Sequence, residues 1–213
     1  MSTTPTAPGP DRRTYQDGVR RVAARGMNHL GETSLTPDAL TVVGVLLCAA
    51  GAVLVWLEYH GWVFFLAGAA AFVVGSVLDI LDGALARTSG KGTPFGAFLD
   101  STVDRVGEAF MLGAIALVLM RQQNEWGVGL TFGALAGSFL VSYTRARAEA
   151  IGLRGDVGLG SRAERVVVIT TGLVLAPLHE YVLPAAIILL AATAWMTVVQ
   201  RVLAVRSQLR ERI

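Results

Sequence analysis

Residues 62–86 read WVFFLAGAAAFVVGSVLDILDGALA, an apolar run whose only charged members are Asp79 and Asp82. A helix needs about 20 mostly apolar residues to cross the hydrocarbon core of a bilayer, and this run is longer. The composition agrees with it. Of 213 residues, 53% are hydrophobic and 16% charged, where ordinary soluble domains carry about 25% charged residues. Mean hydropathy is +0.55. A soluble fold of this size has no interior large enough to hide so much apolar surface, so the solvent for most of the chain is lipid. Net charge is +2, from 18 Lys and Arg against 16 Asp and Glu. That balance lacks the basic stripe by which a polar surface grips nucleic acid. The single cysteine, Cys48, lies in an apolar run and reads as a small packing residue.

Working outward from that run, comparable stretches predict six spans, at 38–57, 62–86, 97–120, 126–147, 163–180 and 183–205. Pro177 and His179 shorten the fifth, and Pro184 falls near the start of the sixth, where a missing N–H is tolerated. Residues 1–10 are rich in Ser, Thr and Pro and are expected to be disordered. No basic-then-apolar signal peptide stands at the start. Within 11–34, Arg12, Arg13, Arg20, Arg21 and Arg25 alternate with Tyr15, Val19, Val22, Ala23 and Met27. That pattern predicts an amphipathic helix lying on the lipid surface, with a solvated basic tail as the alternative. The expected architecture is therefore an all-α integral membrane protein. An N-terminal interfacial helix precedes one six-span domain over 35–213.

Orientation follows from the basic residues. The N-terminal segment, Arg87 and Lys91, the stretch from Arg145 to Arg165, and Arg201, Arg206, Arg210 and Arg212 place sixteen on one side. Arg121 stands alone on the other, and Arg105 falls inside the third span. Both termini and the 87–96 and 145–165 loops are expected in the cytoplasm, with the chain crossing the plasma membrane several times.

Acids inside the spans carry the chemistry. Asp79, Asp82, Asp100, Asp104 and Glu108 all fall in segments that otherwise read as membrane helix. A charged side chain at that depth costs a few kcal/mol or more without compensation, so it points to function. Asp79 and Asp82 are spaced i, i+3, and Asp100 and Asp104 i, i+4, so each pair shares a helix face. The turn sequence Thr88–Gly96 returns the chain antiparallel. Four carboxylates then converge near the cytoplasmic ends of two helices, and they cannot all stay ionised without a strong positive partner. Mg²⁺ or Mn²⁺ suits hard carboxylate oxygens, and two ions suit four acids better than one. The competing explanation is an intramembrane Asp–Arg network that only fixes packing. Small residues beside the acids, among them Gly75, Ser76, Gly83 and Ser101, fit close helix packing and ligand access equally well.

The spacing Asp79-x2-Asp82-Gly83-x2-Ala86-Arg87-x8-Gly96-x3-Asp100-x3-Asp104 resembles the signature of the CDP-alcohol phosphotransferase family at all eight fixed positions. Gly90-Lys91-Gly92-Thr93 has a superficial likeness to a phosphate loop, but it lacks the leading glycine and follows a membrane helix rather than a strand. The family resemblance implies transfer of a phosphatidyl-type group from a CDP-linked donor to an alcohol, with release of CMP. By that resemblance Asp79, Asp82, Asp100 and Asp104 hold the metal pair, and Asp104 is the general base on the attacking hydroxyl. Asp38, Thr41, Gly83, Arg87 and Thr93 contact the CDP donor, Gly83 because a side chain there would collide with it. Pro37 with Asp38 also reads as ordinary helix-start chemistry. A homodimer is implied by the family alone.

Ser142–Asp156, Ala163-Glu164-Arg165 and Gln200-Arg201 resemble prokaryotic phosphatidylinositol phosphate synthases, which implies CDP-diacylglycerol as donor and inositol 1-phosphate as acceptor. An anionic acceptor needs a cationic pocket, and Arg145, Arg147 and Arg201 are its candidates. Arginines that merely obey the positive-inside pattern and touch headgroups are the plainer alternative. Arg145 and Arg147, at i, i+2, point in different directions. The chain departs from that subfamily where Arg145 replaces a lysine and where Ser161-Arg162-Ala163-Glu164-Arg165 replaces Glu-Arg-Pro-Glu-Arg. Glycerol 3-phosphate demands a similar anion pocket, so a phosphatidylglycerophosphate synthase is the alternative, as is another polar alcohol. A small ion-coupled transporter is the remote rival, disfavoured because the acids cluster at the cytoplasmic end with no counterpart in spans five and six, whereas a permeation path is lined through its depth.

Overall fold

The computed structural model describes residues 37–89, 93–158 and 160–211, without the side chains of 37 and 84–89. The segments expected as disordered (1–10) and interfacial (11–34) lie outside the described residues. Among those residues there is no strand, and six long helices follow one another: α1 (Pro37–Trp56), α2 (Val63–Ser89), α3 (Pro94–Arg121), α4 (Glu125–Ala150), α5 (Arg162–Leu175) and α6 (Val182–Arg210). Short 3₁₀ turns cover Glu58–His60 and Ala176–Leu178.

Local chemistry sets the helix starts. Thr93 N-caps α3, its Oγ1 accepting from the Gly96 N–H at 2.9 Å, with Pro94 following where no N–H is needed. Asn124 caps α4 by accepting from the Gly127 N–H at 2.8 Å. Ser161 and Glu164 form a reciprocal capping box on α5. The expected fifth span ends early: Pro177 converts its last turn to 3₁₀ geometry, and α5 stops at Leu175. Helix α6 runs on to Arg210, about a turn past the expected end.

Helices α1, α2, α4 and α6 are long and apolar enough to cross a bilayer. The chain is a membrane protein. Helix α3 fails the same test through Asp100, Asp104, Arg105 and Glu108, and α5 through its 14 residues. Trp56, Tyr59, Trp62, Trp126 and Tyr181 are all exposed at the end of the bundle opposite the aspartates. Amphipathic aromatic rings favour the membrane–water boundary, so this belt marks one of the two interfaces.

Lipid tails are as apolar as leucine, so helix pairing in a bilayer relies on close approach rather than on hiding surface from water. Helices α1 and α2 use two glycine pairs for it. A Cβ placed on Gly75 would lie 2.5 Å from the Gly44 carbonyl oxygen, and one on Gly68 2.8 Å from that of Gly51. A Cβ on Gly107 of α3 would meet Cys48 Sγ at 3.3 Å, so Cys48 is the buried small residue around which α1, α2 and α3 close. The core continues through Met111, Ile115, Leu173 and Leu190.

One arrangement differs from the simplest reading of the sequence. Helices α2 and α3, consecutive and both acid-bearing, pack mainly on α1 rather than on each other. Helix α4 packs on α6, and α5 meets both α2 and α6. The ends of α2 and α3 therefore leave room between them. Gly75→Ala places a methyl against backbone that cannot yield and is expected to cost about 1–3 kcal/mol. Gly113→Ala, which meets nothing within 4 Å, is expected to be close to neutral. Thermal unfolding of both variants in the same detergent checks the contrast.

Candidate active site

The carboxylates of Asp79, Asp82 and Asp100 each present an oxygen within 4.8 Å of the others. Asp79 and Asp82 are buried and Asp100 is half-buried. Helix α1 supplies the wall behind them. Thr41 Oγ1 donates to Asp82 Oδ2, a short contact, and Gly44 lies against Asp79. The other carboxylate oxygen of Asp82, Oδ1, is buried with no hydrogen-bond partner. A buried anionic oxygen left in that way demands a cation. The donor set is three hard oxygens converging from two helices, which is the chemistry of a divalent-metal site. The residues fit such an ion.

Asp104 stands one helical turn below Asp100 on α3, with 23% of its side chain exposed. It faces a cavity of about 440 Å³ that also reaches Asp100. That volume lies in the range of small-molecule sites. Arg145 from α4, Arg162 and Arg165 from α5, and Arg201 from α6 also line it. Arg145 donates from Nε to Glu149 at 2.9 Å. Arg201 donates from Nε to the Val157 carbonyl at 2.8 Å and from Nη1 to that of Val141. Asp156, also on the lining, is paired with Arg154 at 3.3 Å. The Arg154 guanidinium holds its carboxyl below the usual carboxylate range, so Asp156 is charged near neutral pH.

Asp156, Gly158, Gly160 and Ser161 lie on the rim of this cavity, and the described residues of their loop are tied down by one face of α6. Thr197 accepts from the Gly160 N–H at 2.8 Å, Arg201 reaches Val157, and Gln208 bonds the Arg154 N–H at 2.9 Å and its carbonyl at 3.0 Å. Gly155 lies on the backbone of Arg145, where a Cβ would come within 2.9 Å of its carbonyl oxygen. Gly158 has φ +117°, a conformation that side chains resist.

Two arginines that count in the sequence among the basic residues and in the run Ser161–Arg165, without a role of their own, reach the site. Arg162, the first residue of α5, ion-pairs with both Asp79 and Asp104. Arg165 is buried and donates to Glu108 through Nε at 2.8 Å and Nη2 at 2.8 Å, with Nη1 on the Gly160 carbonyl at 2.9 Å. A usable signal existed: cations in the first turn of a helix oppose its dipole, so Arg162 and Arg165 after the capping serine imply acids nearby.

The other expected site residues fall as follows. Asp38 is exposed at the start of α1, beside Gly96, whose Cβ would lie 3.1 Å from Asp38 Oδ1. Thr93 caps α3 and so already has a structural partner. Gly83 is half-buried, one residue past Asp82 on α2. The side chain of Arg87 lies outside the described residues. Arg147 is exposed and does not line the cavity that Arg145 and Arg201 share, as the i, i+2 spacing implied.

Residues 34–200 match the family model described as CDP-alcohol phosphatidyltransferase. The chain belongs to the CDP-alcohol phosphatidyltransferase family. It is 37% identical over 197 residues to archaetidylinositol phosphate synthase of Pyrococcus horikoshii, a match that covers 90% of this chain and 96% of that protein. The fold is similar to the crystal structure of Mycobacterium tuberculosis phosphatidylinositol phosphate synthase with CDP-DAG bound, at TM-score 0.74 and 34% identity, covering 87% of this chain and 92% of that one. The same mycobacterial protein in complex with manganese and citrate matches at TM-score 0.74 and 34% identity, over 87% of each chain. The reaction class is that of the family, transfer of a phosphatidyl group from a CDP-linked donor to an alcohol, and the converging aspartates have the donor set that a divalent metal takes.

Glu108→Ala leaves Arg165 buried without its partner and is expected to lower stability by about 3–5 kcal/mol. Glu108→Leu combined with Arg165→Met is expected to recover most of that loss. Unfolding midpoints of both variants in detergent test it.

Proposed function

We propose that this chain transfers the phosphatidyl group of CDP-diacylglycerol to inositol 1-phosphate, forming phosphatidylinositol phosphate and releasing CMP. The observation that carries the reading is the meeting of Asp104 with an arginine-lined cavity, immediately beside the Asp79–Asp82–Asp100 cluster. The acceptor oxygen forms the new bond to phosphorus, the pyrophosphate P–O bond breaks, and CMP carries away the electron pair. Asp104 takes the hydroxyl proton on a carboxylate oxygen facing the cavity. Arg145 and Arg201 hold the acceptor phosphate by charge-assisted hydrogen bonds. Asp79, Asp82, Asp100 and Asp104 hold two Mg²⁺ or Mn²⁺ ions, which when bound neutralise the pyrophosphate and the departing CMP. Gly83 gives the donor close access to the α2 backbone, while Asp38, Thr41, Arg87 and Thr93 flank the nucleotide. Arg147 is left facing anionic headgroups.

The related enzymes named for archaetidylinositol phosphate and phosphatidylinositol phosphate share the inositol phosphate portion and differ in the lipid. That favours inositol 1-phosphate over glycerol 3-phosphate. All six helices cross the membrane as one domain over 35–213. In α3 the charged residues crowd the first half, while Met111 to Leu119 are apolar and mostly buried, so its length suffices. The sixteen-to-one distribution of basic residues supports cytoplasmic termini and active site in the plasma membrane, and the family supports a homodimer.

Purified protein given CDP-diacylglycerol, Mg²⁺ or Mn²⁺ and a panel of acceptors is expected to release CMP with inositol 1-phosphate and much less with glycerol 3-phosphate or free inositol. Preference for glycerol 3-phosphate would contradict the acceptor assignment. Asp104→Asn is expected to lower turnover about 10²–10⁴-fold with the fold intact. Arg201→Gln is expected to raise the acceptor KM more than it changes kcat.

A further inference from the structure

Arg162 is placed where a catalytic metal site would not ordinarily tolerate a fixed cation. Its guanidinium contacts Asp79 on α2 and Asp104 on α3, acids from two helices that pack little on one another. It has little freedom to leave by rotation of its helix. The capping box of Ser161 and Glu164 fixes the first turn of α5, and one turn on Arg165 is clamped between Glu108 and the Gly160 carbonyl. The side chain is only 27% exposed, so its charge is weakly screened by water.

We propose that Arg162 is a built-in counter-cation that competes with the divalent metal for Asp79 and Asp104, and so sets the metal concentration at which the site fills. This rests on the metal reading above. Two cations near one carboxylate repel, and each weakens the hold of the other. Arg162 spans the space between α2 and α3 and holds their acids in register before the metal arrives. Filling the site then requires the guanidinium to give up one or both acids, and the neighbouring cavity offers it somewhere to go. Arg162 is thus a positioning residue for the metal rather than a residue that touches the reacting atoms. The sign of its effect separates it from a structural role. Loss of a structural support weakens metal binding, while loss of a competitor tightens it.

The test is a Mn²⁺ titration of the purified full chain, followed by the paramagnetic resonance signal of free Mn²⁺. Wild type, Arg162→Gln, Arg162→Lys and, as a control of equal net charge change at an exposed site, Arg206→Gln are compared. Asp82→Asn identifies the signal from the aspartate site. Arg162→Gln is expected to tighten Mn²⁺ binding about tenfold or more, with Arg162→Lys and Arg206→Gln close to wild type. The unfolding midpoint of Arg162→Gln is expected to be lower than wild type with chelator and to gain more from Mn²⁺. Unchanged or weaker binding in Arg162→Gln, with the wild-type site intact, overturns the inference alone. If Arg162→Gln does not fold, looser binding in Arg162→Lys overturns it equally. Absence of Asp82-dependent Mn²⁺ binding in wild type overturns the metal reading and this inference with it.

Discussion

Carboxylates brought within 4.8 Å of one another at the ends of apolar helices repel each other, and the rest of the structure is organised around that repulsion. At an effective dielectric of about 20, each such pair of ionised acids costs about 3 kcal/mol. A stack of uncompensated pairs would rival the whole stability of an ordinary domain. Positive charge must therefore be present, and the chain supplies only part of it. Arg162 reaches into the cluster from α5, and the orphaned Asp82 Oδ1 still asks for a cation of its own. Glu108, one turn further along α3, is kept out of the contest by its bidentate pairing with Arg165.

The helices are arranged to make this arrangement affordable. Glycine contacts at Gly44–Gly75 and Gly51–Gly68 bring α1 hard against α2, so Thr41 can serve Asp82 from behind. Because α1 also carries α3, the two acid-bearing helices need not close on each other. The opening that remains holds the three-aspartate cluster and the mouth of the arginine-lined cavity. On the far wall, α6 anchors the glycine-rich loop through Thr197, Arg201 and Gln208. The same arginine that pins the loop is thereby held where an anionic acceptor would sit.

Much of this was legible in the residues. Long apolar runs fixed the helices to within a turn or so, because in lipid every backbone polar group must be bonded within its own segment. The i, i+3 and i, i+4 spacings placed the aspartates on shared faces, and i, i+2 at Arg145 and Arg147 correctly sent them apart. The roles of Arg162 and Arg165 were not legible as contacts, since positive-inside arginines look alike in sequence and only tertiary placement distinguishes a headgroup contact from a buried pair. The wedging of α1 between α2 and α3 was hidden for a similar reason: small residues mark close packing without naming the partner. Thr93 shows the converse case, where a residue with an expected ligand role already answers to local capping chemistry.

The central claim is that divalent cations sit among these aspartates and make the cluster tolerable. Anomalous diffraction from crystals of the full chain soaked in Mn²⁺ tests it most directly. The account predicts Mn²⁺ peaks bounded by the Asp79, Asp82 and Asp100 carboxylates. Catalytically competent crystals with manganese bound elsewhere, or with none, would contradict it.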